Sequence, residues 1–403
     1  MFSDIHKTAG VCHPQGFKAA GVRAGIKKNG NLDVAVIYTE KEAAVAGVFT
    51  KNLVAAAPVH LSKIVVGTGS AHAVVANAGC ANACTGEQGI RDAEKMATIA
   101  AKELNCRADD VIVASTGLIG ANLPMDKMEA GIKDAVKNLS REGSVNAGNA
   151  IITTDTCSKT CATEVEIGGV EVRFGAIAKG SGMIRPDMAT MLCFITTDAD
   201  IDQKLLQQAL RDATEVSFNM ISVDGDMSTN DSVVVLANGV AGNKKIVDKD
   251  ADYEKFYETL KGICVELAKK IAADGEGATK FVTINVTGAE SFADAKKVGM
   301  VVANSPLCKT AIFGQDCNVG RFICAVGYSG VQIIPEKVTI KFGGIVGYEK
   351  GFVTKFDADA MEKVFAEHDI VIDIELGLGD SAATVYTCDL TYRYVAVNAE
   401  YSS

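Results

Sequence analysis

Tryptophan is absent from this 403-residue chain and aromatic residues make up only 6%. That scarcity argues against the stacking platforms on which single-stranded nucleic-acid binding relies. Positive charge is also in deficit: 40 lysines and arginines stand against 50 aspartates and glutamates, a net charge of −10. The balance disfavours broad nucleic-acid or anionic-membrane surfaces and leaves room only for a local basic pocket. No run approaches about 18 uncharged apolar residues, so no membrane span is expected. The opening Met1-Phe-Ser-Asp-Ile-His-Lys7 carries an acid early and lacks an apolar core of signal-peptide length. A cytoplasmic protein is expected.

Other chemistries are missing by spacing. Cys80/Cys84 and Cys157/Cys161 have three-residue gaps, not the two-residue gap of many zinc ribbons, and no histidine lies close to either pair. The 12 cysteines are too sparse for a disulfide framework in a chain this long and read as reduced, mostly buried thiols. Neither Gly-x-Gly-x-x-Gly nor Gly-x4-Gly-Lys-Ser/Thr occurs in a strand-to-helix setting, so a phosphate loop is unsupported. Asp224, Asp226 and Asp231 lack the calcium-loop pattern with its late glutamate and read as turn carboxylates.

The chain that remains has an ordinary globular balance, 48% hydrophobic and 22% charged, with length enough for two or three domains. Asp33–Tyr38, His72–Ala76, Val111–Ala114, Val172–Ile177, Met191–Thr196 and Ser232–Leu236 read as strands. Apolar residues at helical spacing predict helices over Ile90–Leu104, Asp126–Leu139 and Tyr253–Ala273, and Asp200 is expected to cap a helix over Ile201–Ala213. Further strands are expected at Phe281–Val286, Phe322–Val326, Val331–Phe342, Ile370–Leu376 and Ala383–Val397, with helices near Phe292–Val302 and Ala358–Glu367. This mixed order predicts an α+β protein of layered sheets covered by helices.

One segment invites chemistry. In Lys179-Gly-Ser-Gly-Met-Ile-Arg-Pro-Asp-Met-Ala-Thr190, a glycine-rich loop leads through Ala189-Thr190 into the apolar run that follows. Threonine is a poor nucleophile unless a base takes its proton, and one economical base is its own α-amine, which is free only at a chain N-terminus. Thr190 is internal, so that role requires the chain to cut itself before Thr190.

Five more segments are polar where the pattern predicts core: Asn77–Gly86, Ala114–Gly120, Thr153–Thr156, Val223–Asp231 and the tail Asn398–Ser403. Together with Lys179–Ala199 they closely resemble the ornithine acetyltransferase (glutamate N-acetyltransferase) family of arginine biosynthesis. The likeness runs from Gly16-Phe-Lys-Ala-Ala-Gly-Val22 to Tyr394-Val-Ala-Val-Asn-Ala-Glu-Tyr401. It implies an αββα-type sandwich over residues 1–280 and a smaller α/β lobe over 281–403, whose last strand and tail return to the active site. It also implies self-cleavage at Ala189–Thr190, Thr190 as nucleophile, and Thr116 with Gly117 as the oxyanion hole. Substrate contacts map onto Thr156, Lys179, Thr190, Glu276, Asn398 and Ser403, with Lys179 suited to a substrate carboxylate and Glu276 to an ornithine ammonium.

The implied reaction is ping-pong transfer of acetyl from N2-acetylornithine to L-glutamate, with no metal or bound organic cofactor and with the two fragments assembled as α2β2. The family also holds members that use acetyl-CoA, and no residue here separates the two kinds. With water as acceptor, the same threonine machinery would make an amidase or aminopeptidase. Three positions depart from the family pattern: Met227 where threonine is expected, Val319 where tryptophan is common, and Leu53 where a basic residue is frequent. They bear on substrate preference and not on reaction type.

Overall fold

The computed structural model describes residues 10–185 and 191–400. Eight strands form the first sheet: β1 (Phe17–Val22), β2 (Val34–Phe49), β3 (Ser70–Cys80), β4 (Val111–Leu118), β5 (Lys159–Ile167), β6 (Val170–Lys179), β7 (Leu192–Thr197) and β8 (Ser232–Ala237). Their order is β4-β3-β2-β8-β7-β6-β5, with β1 added on β2. The β3–β4 and β7–β8 pairs are parallel and the remaining pairs antiparallel.

The sheet doubles over itself, and β2 carries the fold. Residues 34–38 of this strand pair with β3, its register breaks between Tyr38 and Ala43, and residues 44–49 then pair with β8. Alternation along each strand sends one face inward. Ala35, Ile37, Val74, Ala76 and Ile112 from one limb therefore share a core with Ile177, Leu192, Phe194, Val234 and Leu236 from the other. The outward set Val34, Val36, Ala73 and Val75 is covered by α2 (Gly86–Leu104) and α3 (Met125–Lys137). On the other limb Phe174, Ala176, Cys193, Ile195, Val233 and Val235 are covered by α5 (Gln203–Glu215) and α6 (Ala251–Ala273). Helix, sheet, sheet and helix follow in layers, with α1 (Ala57–Thr68) and α4 (Ser144–Ile151) adding to the inner core.

A second sheet is ordered β12-β11-β10-β13-β9-β14. Its strands are β9 (Phe281–Ala289), β10 (Thr339–Phe342), β11 (Ile345–Glu349), β12 (Phe352–Val353), β13 (Asp369–Glu375) and β14 (Ser381–Cys388). It has its own core, to which α7 (Phe292–Ala303), α8 (Pro306–Phe313), α9 (Val319–Gly327) and α10 (Ala358–Ala366) contribute. Phe281 stacks on Tyr386 at 6.0 Å, and Tyr386 and Cys388 pack into the first sheet's helical layer.

Four expectations need correction. Phe322–Val326 is not a strand but part of α9: Val319, Phe322, Ala325 and Val326 are buried at helical spacing, which a five-residue apolar run cannot reveal by itself. Only Thr339–Phe342 of Val331–Phe342 is strand. The helix cap is Asp202, whose carboxylate accepts from the Lys204 and Leu205 amides, and not Asp200. The expected strand Ala383–Val397 ends at Cys388 and is followed by α11 (Tyr392–Glu400). Asp389 forces the break, because its carboxylate accepts from the amides of Thr279 and Lys280 and from the Thr279 hydroxyl, which turns the chain out of the sheet.

Candidate active site

Parallel strands β3 and β4 finish side by side, and their ends form one wall of a cavity of about 130 Å³. Thr116 and Gly117 stand there. Gly117 has φ +126°, and a Cβ at that position would lie 2.4 Å from the Gly79 carbonyl carbon, so only glycine lets the two strand ends approach. Asn230 ties these ends together by donating to the carbonyls of Ala81 (2.6 Å) and Ser115 (2.8 Å). Ser115 Oγ in turn donates to Asn77 Oδ1 at 2.6 Å. The polar residues of the Asn77–Gly86 and Val223–Asp231 segments thus serve partly as braces for the Thr116–Gly117 turn.

The opposite wall comes from the end of β6. Lys179, which lines the cavity, is paired across the sheet with Leu192 at the start of β7. Met191 N–H donates to Asp231 Oδ1 at 3.0 Å. Burial lifts the Asp231 carboxyl well above the usual carboxylate range, against the pull of the Met191 amide and the Lys179 charge. Its Oδ2 has no hydrogen-bond partner among the described residues. Ala189, Thr190 and Ser403, named from the sequence, lie outside the described residues.

Lys179 is 2% exposed. Its ammonium donates to Thr153 Oγ1 at 2.9 Å and to Thr116 Oγ1 at 3.3 Å, with Asp155 Oδ2 at 3.9 Å. Burial lowers its pKa, and Asp155 works against that. Asp155 heads a buried chain of alternating charges: Lys159 donates to both Asp155 and Asp274. Burial would raise the Asp155 carboxyl, but Lys179, Lys159 and the Gly180 N–H hold it at about 2.

The third wall joins the loop after α6 to the tail. Glu276 N–H donates to Ser181 O at 2.8 Å, and a Cβ on Gly182 would collide with the Glu276 carboxylate at 2.4 Å. Asn398 Nδ2 donates to Glu276 Oε2 at 2.8 Å. Tyr394, one turn earlier on α11, donates from its hydroxyl to Asp224 Oδ2 at 3.2 Å, and Asp224 accepts the amides of Met183 and Ile184. Tail, Asp224 and the start of the 183–191 segment are therefore linked through one carboxylate.

Five residues named from the sequence, Thr116, Gly117, Lys179, Glu276 and Asn398, line this one cavity. Thr156 is not in its lining; its hydroxyl and amide both bind Asp274. Sequence reasoning did not single out Thr153, Asp155 or Asn230, although polar runs in a predicted core flagged their segments. Of the departures, Val319 is buried in the second sheet's core and Leu53 is fully exposed, so neither faces the cavity. Among the described residues no three His, Cys, Asp or Glu side chains gather as a metal site. No described helix is long and apolar enough to cross a membrane.

The model of the ArgJ family matches residues 18–403. The arginine biosynthesis bifunctional protein ArgJ of Symbiobacterium thermophilum is 51% identical over 97% of this chain and 98% of its own length. Its namesake in Staphylococcus aureus (strain COL) is 45% identical over 98% and 96%. Among solved structures, the ArgJ protein of Bacillus halodurans superposes with a TM-score of 0.50 at 44% identity, covering 52% of this chain and 98% of that one.

Proposed function

The chain belongs to the ArgJ family, and on that premise we propose how this cavity works: it carries acetyl from N2-acetylornithine to L-glutamate through an acetyl ester on Thr190. The protein is an acyltransferase of arginine biosynthesis. In maturation the Thr190 hydroxyl attacks the Ala189 carbonyl, and the Ala189–Thr190 C–N bond breaks to give an ester and a free Thr190 α-amine. Water then hydrolyses the ester to the Ala189 carboxylate and the free Thr190 hydroxyl. Such an amine, with an ordinary pKa of about 7.7–8, takes the hydroxyl proton during attack on the donor's acetyl carbonyl. It returns a proton to the departing ornithine nitrogen. Glutamate then attacks the acetyl ester by the reverse route.

The observation that carries this reading is the convergence of Thr116, Gly117, Lys179, Glu276 and Asn398 on one cavity. Met191, the residue that follows Thr190, is bonded to Asp231, the chain neighbour of the lining residue Asn230. The Thr116 hydroxyl and Gly117 N–H are the donors for the oxyanion, each of a kind that lowers such a barrier by about 3–4 kcal/mol. The matched Bacillus halodurans chain is about half as long as this one, which suits a cut near the middle. The relatives are called bifunctional, and acetyl-CoA as a second donor completes the proposal, together with a cytoplasmic α2β2 assembly.

The test is direct. Purified wild type is expected to run as two fragments under denaturing conditions, with Thr190→Ala as a single band and no transfer. Incubated with N2-acetylornithine and glutamate, the wild type should release ornithine and N-acetylglutamate in equal amounts. Dominant free acetate would make it a hydrolase, and an uncut chain with full activity would end the amine-as-base mechanism.

A further inference from the structure

Lys179 suits a substrate carboxylate by charge, yet its surroundings engage it elsewhere. Two of its three N–H bonds go to hydroxyl oxygens, those of Thr153 and Thr116. Asp155, its nearest carboxylate, stands off at 3.9 Å and accepts hydrogen bonds from other donors: Oδ1 from Lys159 and the Gly180 amide, Oδ2 from the Thr153 amide. Asp155 therefore supplies the field that keeps a buried ammonium charged without capturing its protons. A hydroxyl oxygen that accepts from an ammonium must turn its own proton away from it. For Thr116 no described residue accepts that proton, and the side chain borders the cavity.

We propose that Lys179 is a positioning residue of the oxyanion hole: acting through Thr116, its ammonium aims and polarises the hydroxyl that binds the developing oxyanion, and Asp155 holds it in place. The proposal rests on the acetyl-transfer reading above. As the acetyl carbonyl becomes tetrahedral, negative charge grows on its oxygen. An N–H···O–H···O chain of donors strengthens along its length as that charge appears, with no proton changing owner. A neutral ground-state carbonyl gains far less from the same chain. The contribution therefore falls on kcat and leaves KM almost unchanged.

Steady-state kinetics of self-cleaved wild type, Lys179→Met, Thr116→Ala and the double variant test this, with the extent of cleavage read by intact mass. Lys179→Met is expected to lower kcat roughly 10–100-fold, with the KM for N2-acetylornithine and for glutamate each within about threefold of wild type. In the Thr116→Ala background the same substitution should cost less than about threefold, since the hydroxyl it acts through is gone. Where Lys179→Met fails to cleave, Lys179→Gln carries the test and should show a smaller loss, again confined to kcat. A KM raised tenfold or more with kcat retained would make Lys179 a carboxylate anchor and overturn the proposal, as would full additivity with Thr116→Ala. Wild type that transfers no acetyl would instead overturn the function on which the proposal rests.

Discussion

Asp155 is the residue on which the most electrostatics converges. It meets Lys159 directly, stands 3.9 Å from Lys179, and accepts the Gly180 and Thr153 amides. Removing one partner from a buried charge pair leaves the others uncompensated, at a typical cost of about 3–5 kcal/mol. Asp155→Asn is expected to lose that much at pH 7. The folded carboxyl titrates at about 2 against an ordinary 3.8. The native state therefore sheds this proton first on the way up in pH. The stability it contributes is fully present above about pH 5 and disappears as pH falls through 2. Urea unfolding of wild type and variant should show a constant gap from pH 7 to 5 that narrows by about 2 kcal/mol between pH 4 and 2. A gap that ignores pH, or widens on acidification, would deny that Asp155 is held ionised by its lysines. None of this was legible in the sequence. The spacing of Asp155 and Lys159 gives no sign that both are buried, and Asp274 lies more than a hundred residues away.

At the scale of elements, the strongly periodic segments were legible and the tail was not. Helix α6 has Phe256, Leu260, Ile263, Leu267 and Ile271 on one buried face, and sequence and structure agree on it closely. The tail alternates valine with other residues and so imitates a strand, while the contacts that make it a helix are long-range and polar. No residue of α11 is buried. Thr391 just before it donates to Gly277 O, Tyr394 to Asp224, and Asn398 to Glu276, while the Tyr392 ring meets Phe313 edge-on. An element held this way adds little to global stability and much to the site. Asn398→Ala should leave the melting temperature within about 2 °C of wild type, because a single exposed hydrogen bond is worth only about 1 kcal/mol. It should raise KM for N2-acetylornithine about 5–10-fold by freeing Glu276, a carboxylate suited to the ornithine ammonium. KM for glutamate, which lacks that ammonium, is expected to change little. Equal shifts for both substrates would detach Glu276 from that role.

For the whole molecule the decisive feature is where the Ala189–Thr190 bond falls in the sheet order. The strands before it are β1–β6, and β7 and β8 come after it. In space β7 and β8 sit between β2 and β6, so this pair of strands that follow the bond is hydrogen-bonded on both sides to strands that precede it. The inner core mixes them too: Leu192, Phe194, Val234 and Leu236 pack with Ile37, Val74 and Ile112. A cut at this bond leaves the strand ladders and core contacts of the described residues on either side of it in place. Fragments joined through a shared core separate only when that core is dismantled, because neither half can bury its apolar strand faces alone. The cleaved protein is therefore expected to elute from size exclusion with both fragments in equal amounts, at high salt as well as low. In a guanidinium titration, separation of the fragments should coincide with loss of the far-ultraviolet circular dichroism signal. Free fragments under native conditions, or separation well before that unfolding transition, would contradict an interleaved sheet and place the cut at a seam between independently folded halves.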